Sequence, residues 1–117
     1  VIAWASNVDS ANLFLSVISI MELDIGIIQI ERRDTQQGEH LRRWFNEQIL
    51  PTFDQRILPI DTPIAQCCAR LAVPHPRSEL DALIAATALV HGMTVVTRNS
   101  ADFEPTGVSL LNPWIVT

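Results

Sequence analysis

Four short apolar runs, each set against helical stretches, constrain this chain more than any other feature. They are Leu13-Phe14-Leu15, Arg56 to Ile60, Thr94 to Thr97 and Val108 to Leu111. Each has the length of a buried strand rather than of a core helix. Helical periodicity separates most of them, so the alternation is largely βα. Such an order implies a parallel sheet flanked by helices. In sheets of this kind ligands bind beyond the carboxyl ends of the strands. The polar residues that follow each run are therefore the places to look for chemistry.

The helical stretches are read from spacing and end signals. Ile2, Trp4, Ala5 and Val8 suggest the end of a helix, and Asp9, Ser10 and Asn12 a turn. Ile20, Leu23, Ile27 and Ile30 recur every three or four residues, which predicts a helix from about 18 to 32 with Ser16 or Ser19 as its cap. Arg32 and Arg33 suit its C-terminal dipole. Gly26 inside it costs about 1 kcal/mol against Ala and marks a close neighbour. A polar connection from Asp34 to Gly38 leads to a second helix ending near residue 50, with Leu41, Trp44, Phe45 and Ile49 on its apolar face and Pro51 just beyond. Pro59 limits the Arg56–Ile60 run to an edge or a strand end. Thr62-Pro63 reads as a hydroxyl cap with Pro at the first helical position. That helix runs to about Leu71, and Val73 to Pro76 is a rigid connection. Ser78 opens a helix over 79–91 with Leu80, Ile84, Ala88 and Leu89 apolar, and Gly92 ends it.

The 117 residues suit one compact domain, with 48% apolar residues to build its core. No apolar run reaches the roughly 18 to 20 residues that cross a bilayer. Segment 17–30 is the most apolar, and Glu22 and Asp24 interrupt it. No secretory signal is visible. The net charge of −5 argues against a general nucleic-acid coat protein. It leaves a nuclease open, because a metal at a carboxylate cluster reverses the local sign. Cys67 and Cys68 point about 100° apart on a helix and are expected to stay unbridged, as packed residues in a reducing cytoplasm.

Three acidic places stand out. Glu22 lies in an apolar stretch about one turn into the helix that follows a strand, where a buried carboxylate would need a partner or a metal. It also fits as a dipole-favouring acid facing solvent. Asp81 follows Ser78 at capping-box spacing, which accounts for it without any function. After the Val95-Val96 run come Arg98, Asn99 and Asp102. Asn99 and Asp102 are spaced as another cap pair, and Arg98 suits a phosphate or a plain surface. Taken together, the acids suit a hard divalent cation, which needs few carboxylates and keeps its waters. His40, His75 and His91 are scattered, and no CxxC, HExxH, P-loop or G-x-S-x-G pattern occurs.

These segments resemble PIN-domain ribonucleases of the VapC/FitB toxin type. The resemblance rests on Leu15-Ser16 through Met21-Glu22-Leu23, on Leu80-Asp81-Ala82-Leu83-Ile84-Ala85-Ala86-Thr87-Ala88, and on Val95 through Asp102-Phe103. Asn112-Pro113-Trp114 is similar to the FitB-like branch. The resemblance implies a three-layer α/β/α PIN-like domain with a parallel central sheet, spanning residues 1–117 as a single domain. It also implies a magnesium- or manganese-dependent endoribonuclease, commonly a homodimer, controlled by a VapB/FitA-like antitoxin in the cytoplasm. Glu22 and Asp81 match two of the family's acids and are expected to hold metal. Asn99 falls at the fourth position, and Asp102 one turn on can supply or support that charge. Arg98 is the candidate for holding RNA phosphate. The family's opening strand ends in an Asp-Thr-Asn-type motif, which these residues do not contain, since Ala5 stands where Ser6-Asn7 would need the Asp. That strand and its Asp are expected to be missing.

Two rivals follow from the same residues. One is a PIN-fold binding module without catalysis that only engages an antitoxin or other partner. The other is a different carboxylate-metal phosphoryl-transfer enzyme, acting on small substrates.

Overall fold

The structure, a computed structural model, describes residues 10–73 and 78–112. The helix expected over 2–8, the Pro74–Pro76 connection and the Pro113-Trp114 pair lie outside the described residues. The chain divides into two compact units, one of residues 13–59 and one of 1–12 with 60–117.

The unit of residues 13–59 begins with β1 (Leu15–Ser16), which runs directly into α1 (Val17–Arg33). Ser16 is the cap: its hydroxyl accepts from Ile18 N–H at 3.0 Å. Strand β1 is shorter and later than the Leu13–Leu15 run suggests, and it is only half-buried, with Phe14 exposed. It pairs in parallel with β2 (Ile57–Leu58), Leu15 opposite Ile57. Arg56 fastens this pair, donating to the carbonyls of Leu13 and Thr52.

Helix α2 (Thr35–Trp44) starts earlier than the sequence suggests. The Asp34–Gly38 stretch reads as a connection because it is polar. Asp34 in fact accepts from Gln37 N–H at 3.1 Å, so the polar run is a capped first turn. The close approach lies at Gly38, not Gly26. A Cβ on Gly38 would stand 2.6 Å from Glu31 Cα, whereas one on Gly26 would meet nothing within 4 Å. Arg42 then ties α2 to α1, donating from Nη2 to Glu31 Oε1 at 3.0 Å and from Nε to Glu31 Oε2 at 3.3 Å. Its Nη1 is 2.7 Å from Asp24 Oδ1, an ion pair outside hydrogen-bond geometry.

Past Trp44 the helix does not stop. It widens into a π turn (Phe45–Ile49) and closes with one α turn, Leu50–Thr52, which contains Pro51. Pro51 donates no N–H and disfavours a regular i−4 bond, so the widened turn lets the helix pass it. Of the two aromatic residues expected on the apolar face, Phe45 is 3% exposed and Trp44 42%, so only Phe45 faces inward.

In the other unit, α3 (Thr62–Ala72) is capped one residue earlier than expected. Asp61 accepts from Ile64 N–H at 3.1 Å, and Thr62-Pro63 fill the first turn. Helix α4 (Glu79–His91) follows and ends at Gly92, whose φ of 66° is the left-handed conformation that suits glycine. α4 packs on α3, and its small residues Ala82, Ala85, Ala86 and Ala88 are buried, while Leu89 is exposed. Then come β3 (Thr94–Val96), α5 (Ser100–Phe103), a 3₁₀ turn (Glu104–Thr106) and β4 (Ser109–Leu111). β3 and β4 pair in parallel, with Val96 opposite Leu111. Ala85, Ala88, Val95, Phe103 and Val108 form the core of this unit. Only Val95 of β3 is buried; Thr94 and Val96 alternate outward, so the strand is not buried on both faces. Cys67 and Cys68 are unbridged. Among the described residues no helix is long and apolar enough to cross a membrane.

Candidate functional site

Asp81 is the third residue of α4 and half-buried. The capping-box account of it loses its first half, because Ser78 makes no side-chain cap bond. Burial pushes the Asp81 carboxyl above the usual carboxylate range, and the negative charge of Asp102 adds to that push. The structure thus brings two expected site residues to one place. Asp102 itself is exposed, on the short helix α5. Among the described residues neither carboxylate is ion-paired; the two ion pairs seen both belong to Arg42.

Asp102 is held there by the way β3 ends. Thr97 N–H donates to Leu111 O at 3.0 Å, the last rung beside β4. The chain then leaves the sheet. Thr97 Oγ1 accepts from Asn99 N–H at 3.0 Å, and Asn112 Nδ2 donates to Arg98 O at 3.3 Å. Asn99 caps α5 through its backbone, accepting from Asp102 N–H at 3.0 Å, while its side chain makes no cap bond. The side-chain cap pair expected of Asn99 and Asp102 is therefore not formed. Phe103, buried in the core, anchors the other end of α5. Arg98 and Asn99 are both exposed on this turn.

Glu22 belongs to the other unit. It lies in the second turn of α1, past the first turn where it would serve the dipole, and it is exposed rather than embedded. The apolar residues around it in sequence belong to an outward face: Met21, Ile25 and Ile28 are also exposed.

The donor set suits a hard divalent cation. Two carboxylates are close enough for one charge to disfavour the other, and among the described residues no cationic side chain is ion-paired to them. Magnesium is commonly held by one or two carboxylates, with waters completing its shell. Among the described residues no group of three or more His, Cys, Asp or Glu is arranged to hold a metal.

The PIN domain family model matches residues 1–107. The chain belongs to the PIN-domain family. Over 119 residues this PIN domain is 34% identical to toxin FitB of Neisseria gonorrhoeae, covering 97% of this chain and 84% of that protein. It is 32% identical over 122 residues to VapC ribonuclease Y4jK of Sinorhizobium fredii, again covering 97% and 84%. The solved structure of FitAcB from Neisseria gonorrhoeae matches with a TM-score of 0.90 at 32% identity, over 98% of this chain and 85% of that one. The expected fold class, a three-layer α/β/α PIN-like domain, is borne out by this likeness. So is the resemblance to VapC/FitB-type toxins.

Two residues that shape the PIN site carried no role in the sequence reading, Thr97 and Asn112. The sequence signal for them was indirect. Thr97 closes one run read as a strand and Asn112 follows another, and in parallel strands that end level such residues become neighbours.

Proposed function

We propose that this PIN domain is a toxin-type endoribonuclease that hydrolyses RNA phosphodiester bonds with magnesium or manganese. The observation that carries the reading is Asp81, half-buried at the start of α4 with its carboxyl raised by burial and by the nearby charge of Asp102, which follows the β3–β4 strand pair. Neighbouring like charges favour a bound cation, and the end of a parallel strand pair is where α/β folds bind their ligands. Membership of a family that includes VapC ribonucleases supports the same chemistry. Residues 1–117 are read as a single PIN domain, which the match of one family model over 1–107 supports.

In this reading Asp81 and Asp102 are metal-holding acids, Glu22 is the further metal-holding acid that the family resemblance assigns, and Asn99 occupies the family's fourth position. A bound divalent cation would polarise a phosphoryl oxygen and lower the pKa of a water for in-line attack. The chain's own residues set the geometry. Asp81 stands on α4, whose alanines are buried, and Asp102 precedes the buried Phe103, so both carboxylates are carried by anchored helices. Arg98, exposed on the same turn, is suited to a phosphate oxygen of the RNA.

Likeness to FitAcB supports a FitA-like antitoxin as the controlling partner. The exposed Met21, Ile25 and Ile28 supply apolar surface of the kind that antitoxin binding or homodimer formation requires. The site of action is the cytoplasm, where the RNA is.

The test is cleavage of RNA by the full protein with magnesium, with manganese and with a chelator, beside Asp81→Asn. Metal-dependent cleavage in the wild type, lost in the variant, is expected. Cleavage that survives Asp81→Asn sinks the site assignment. Antitoxin binding by a wild type that cleaves no RNA under any metal would leave only a binding module.

A further inference from the structure

We propose that Asn112 is a positioning residue for the acidic turn, acting with Thr97 to fix the Arg98–Asn99 backbone so that α5 presents Asp102 to Asp81. The inference deepens the ribonuclease reading and rests on it for the role of the two acids.

Strand register delivers Asn112 to its place. Val96 lies opposite Leu111, and the rung from Thr97 N–H to Leu111 O is the last between the strands among the described residues. One residue later both chains have left the ladder. There the Arg98 carbonyl accepts from the side-chain amide of Asn112, the residue next after Leu111, at 3.3 Å. On the inner side of the turn, the Thr97 hydroxyl takes the Asn99 N–H at 3.0 Å. Three consecutive residues, Thr97 to Asn99, are thereby tied at a backbone atom each. Helix α5 starts from that fixed point, with Asp102 N–H bonded to Asn99 O.

The chemistry explains why an amide suits the position. The group to be held is a carbonyl oxygen, so the side chain must donate. Leucine has similar size and no donor, and aspartate has the shape with acceptors only. α5 has four residues and little stability of its own, so its direction depends on how the turn before it is held.

The experiment uses the full protein and the variants Asn112→Leu, Thr97→Val and Asn112→Gln. Three quantities are read: exchange of the Asn99 and Asp102 amides by NMR, manganese affinity by calorimetry, and steady-state RNA cleavage. In Asn112→Leu and Thr97→Val the two amides should exchange about ten-fold faster or more, while the β3–β4 rungs keep their protection. Manganese affinity and kcat should fall by about 10- to 100-fold with KM little changed, as for outer residues that orient metal ligands. Asn112→Gln, which keeps a donor, should recover part of both. Unchanged exchange at Asn99 and Asp102 overturns the proposal whatever the nuclease does. Faster exchange with unchanged manganese affinity also overturns it, because the turn would then move without consequence for the acids. Should Asn112→Leu lose the β3–β4 rungs too, Asn112→Ala, which also lacks a donor, carries the same comparison. Altered exchange and manganese affinity in a protein that cleaves no RNA would uphold the positioning role and remove the ribonuclease reading alone.

Discussion

Asp81 is a residue whose function and stability pull in opposite directions. Its carboxyl is raised by burial first and by Asp102 second, so the folded state holds the proton more tightly than the unfolded chain does. Between the unfolded value, about 3.9, and the raised folded value, the folded state binds more protons. Stability therefore falls as pH rises through that window, and the deficit persists at every higher pH. Asp81→Asn removes the charge and should raise the thermal midpoint at pH 7 while abolishing RNA cleavage. The gain is on the order of a few tenths of a kcal/mol, since solvent screens a half-exposed carboxylate. Melting both proteins across pH checks it: the gap should close below about pH 4, where both side chains are neutral. A variant less stable than the wild type at pH 7 would show that the Asp81 charge is already compensated. Of the site, Asp81 and Asp102 were legible in the sequence as acids placed after a strand and at a helix start. Their mutual proximity was not, because it depends on how a four-residue helix is aimed.

The four longer helices, α1 to α4, were legible and their ends less so, for a physical reason visible at two glycines; α5 was read as a turn. Sequence periodicity places Gly26 inside a helix but says nothing of what lies beside it. Only the α1–α2 packing shows that space is open at Gly26 and closed at Gly38. Substitution by alanine should then act in opposite directions. Gly26→Ala lowers unfolded-chain entropy without a clash and should stabilise by about 0.5–1 kcal/mol. Gly38→Ala pushes a methyl into the Glu31 backbone and should destabilise by about 1–3 kcal/mol. Urea midpoints of the two variants test this pair, and equal shifts would refute the packing argument. The polar run from Asp34 hid a helix start for a related reason: aspartate, threonine and glutamine read as a loop until a side chain is seen bonded to the first turn.

For the whole molecule, the parallel βα order carried the fold class, and it carried it because short apolar runs and helical periods have different repeats. The prediction that belongs to this scale is metal linkage. A cation that binds only the folded state stabilises it, by about 2.7 kcal/mol at a hundred times its dissociation constant. Magnesium or manganese should raise the melting midpoint of the wild type and leave Asp81→Asn nearly unmoved, as read by calorimetry in each ion. An equal rise in both proteins would place the cation elsewhere. The same scale shows where the chain can change length. The π turn at Phe45–Ile49 holds one residue more than an α turn, and Asn46, Glu47 and Gln48 within it all face solvent. Loss of one of those three would let the segment close as ordinary α-helix, with Phe45 still buried. The same loss within Thr35–Trp44 would swing every following side chain by about 100°. Related chains that differ by a single residue in this region have a ready place to put the difference.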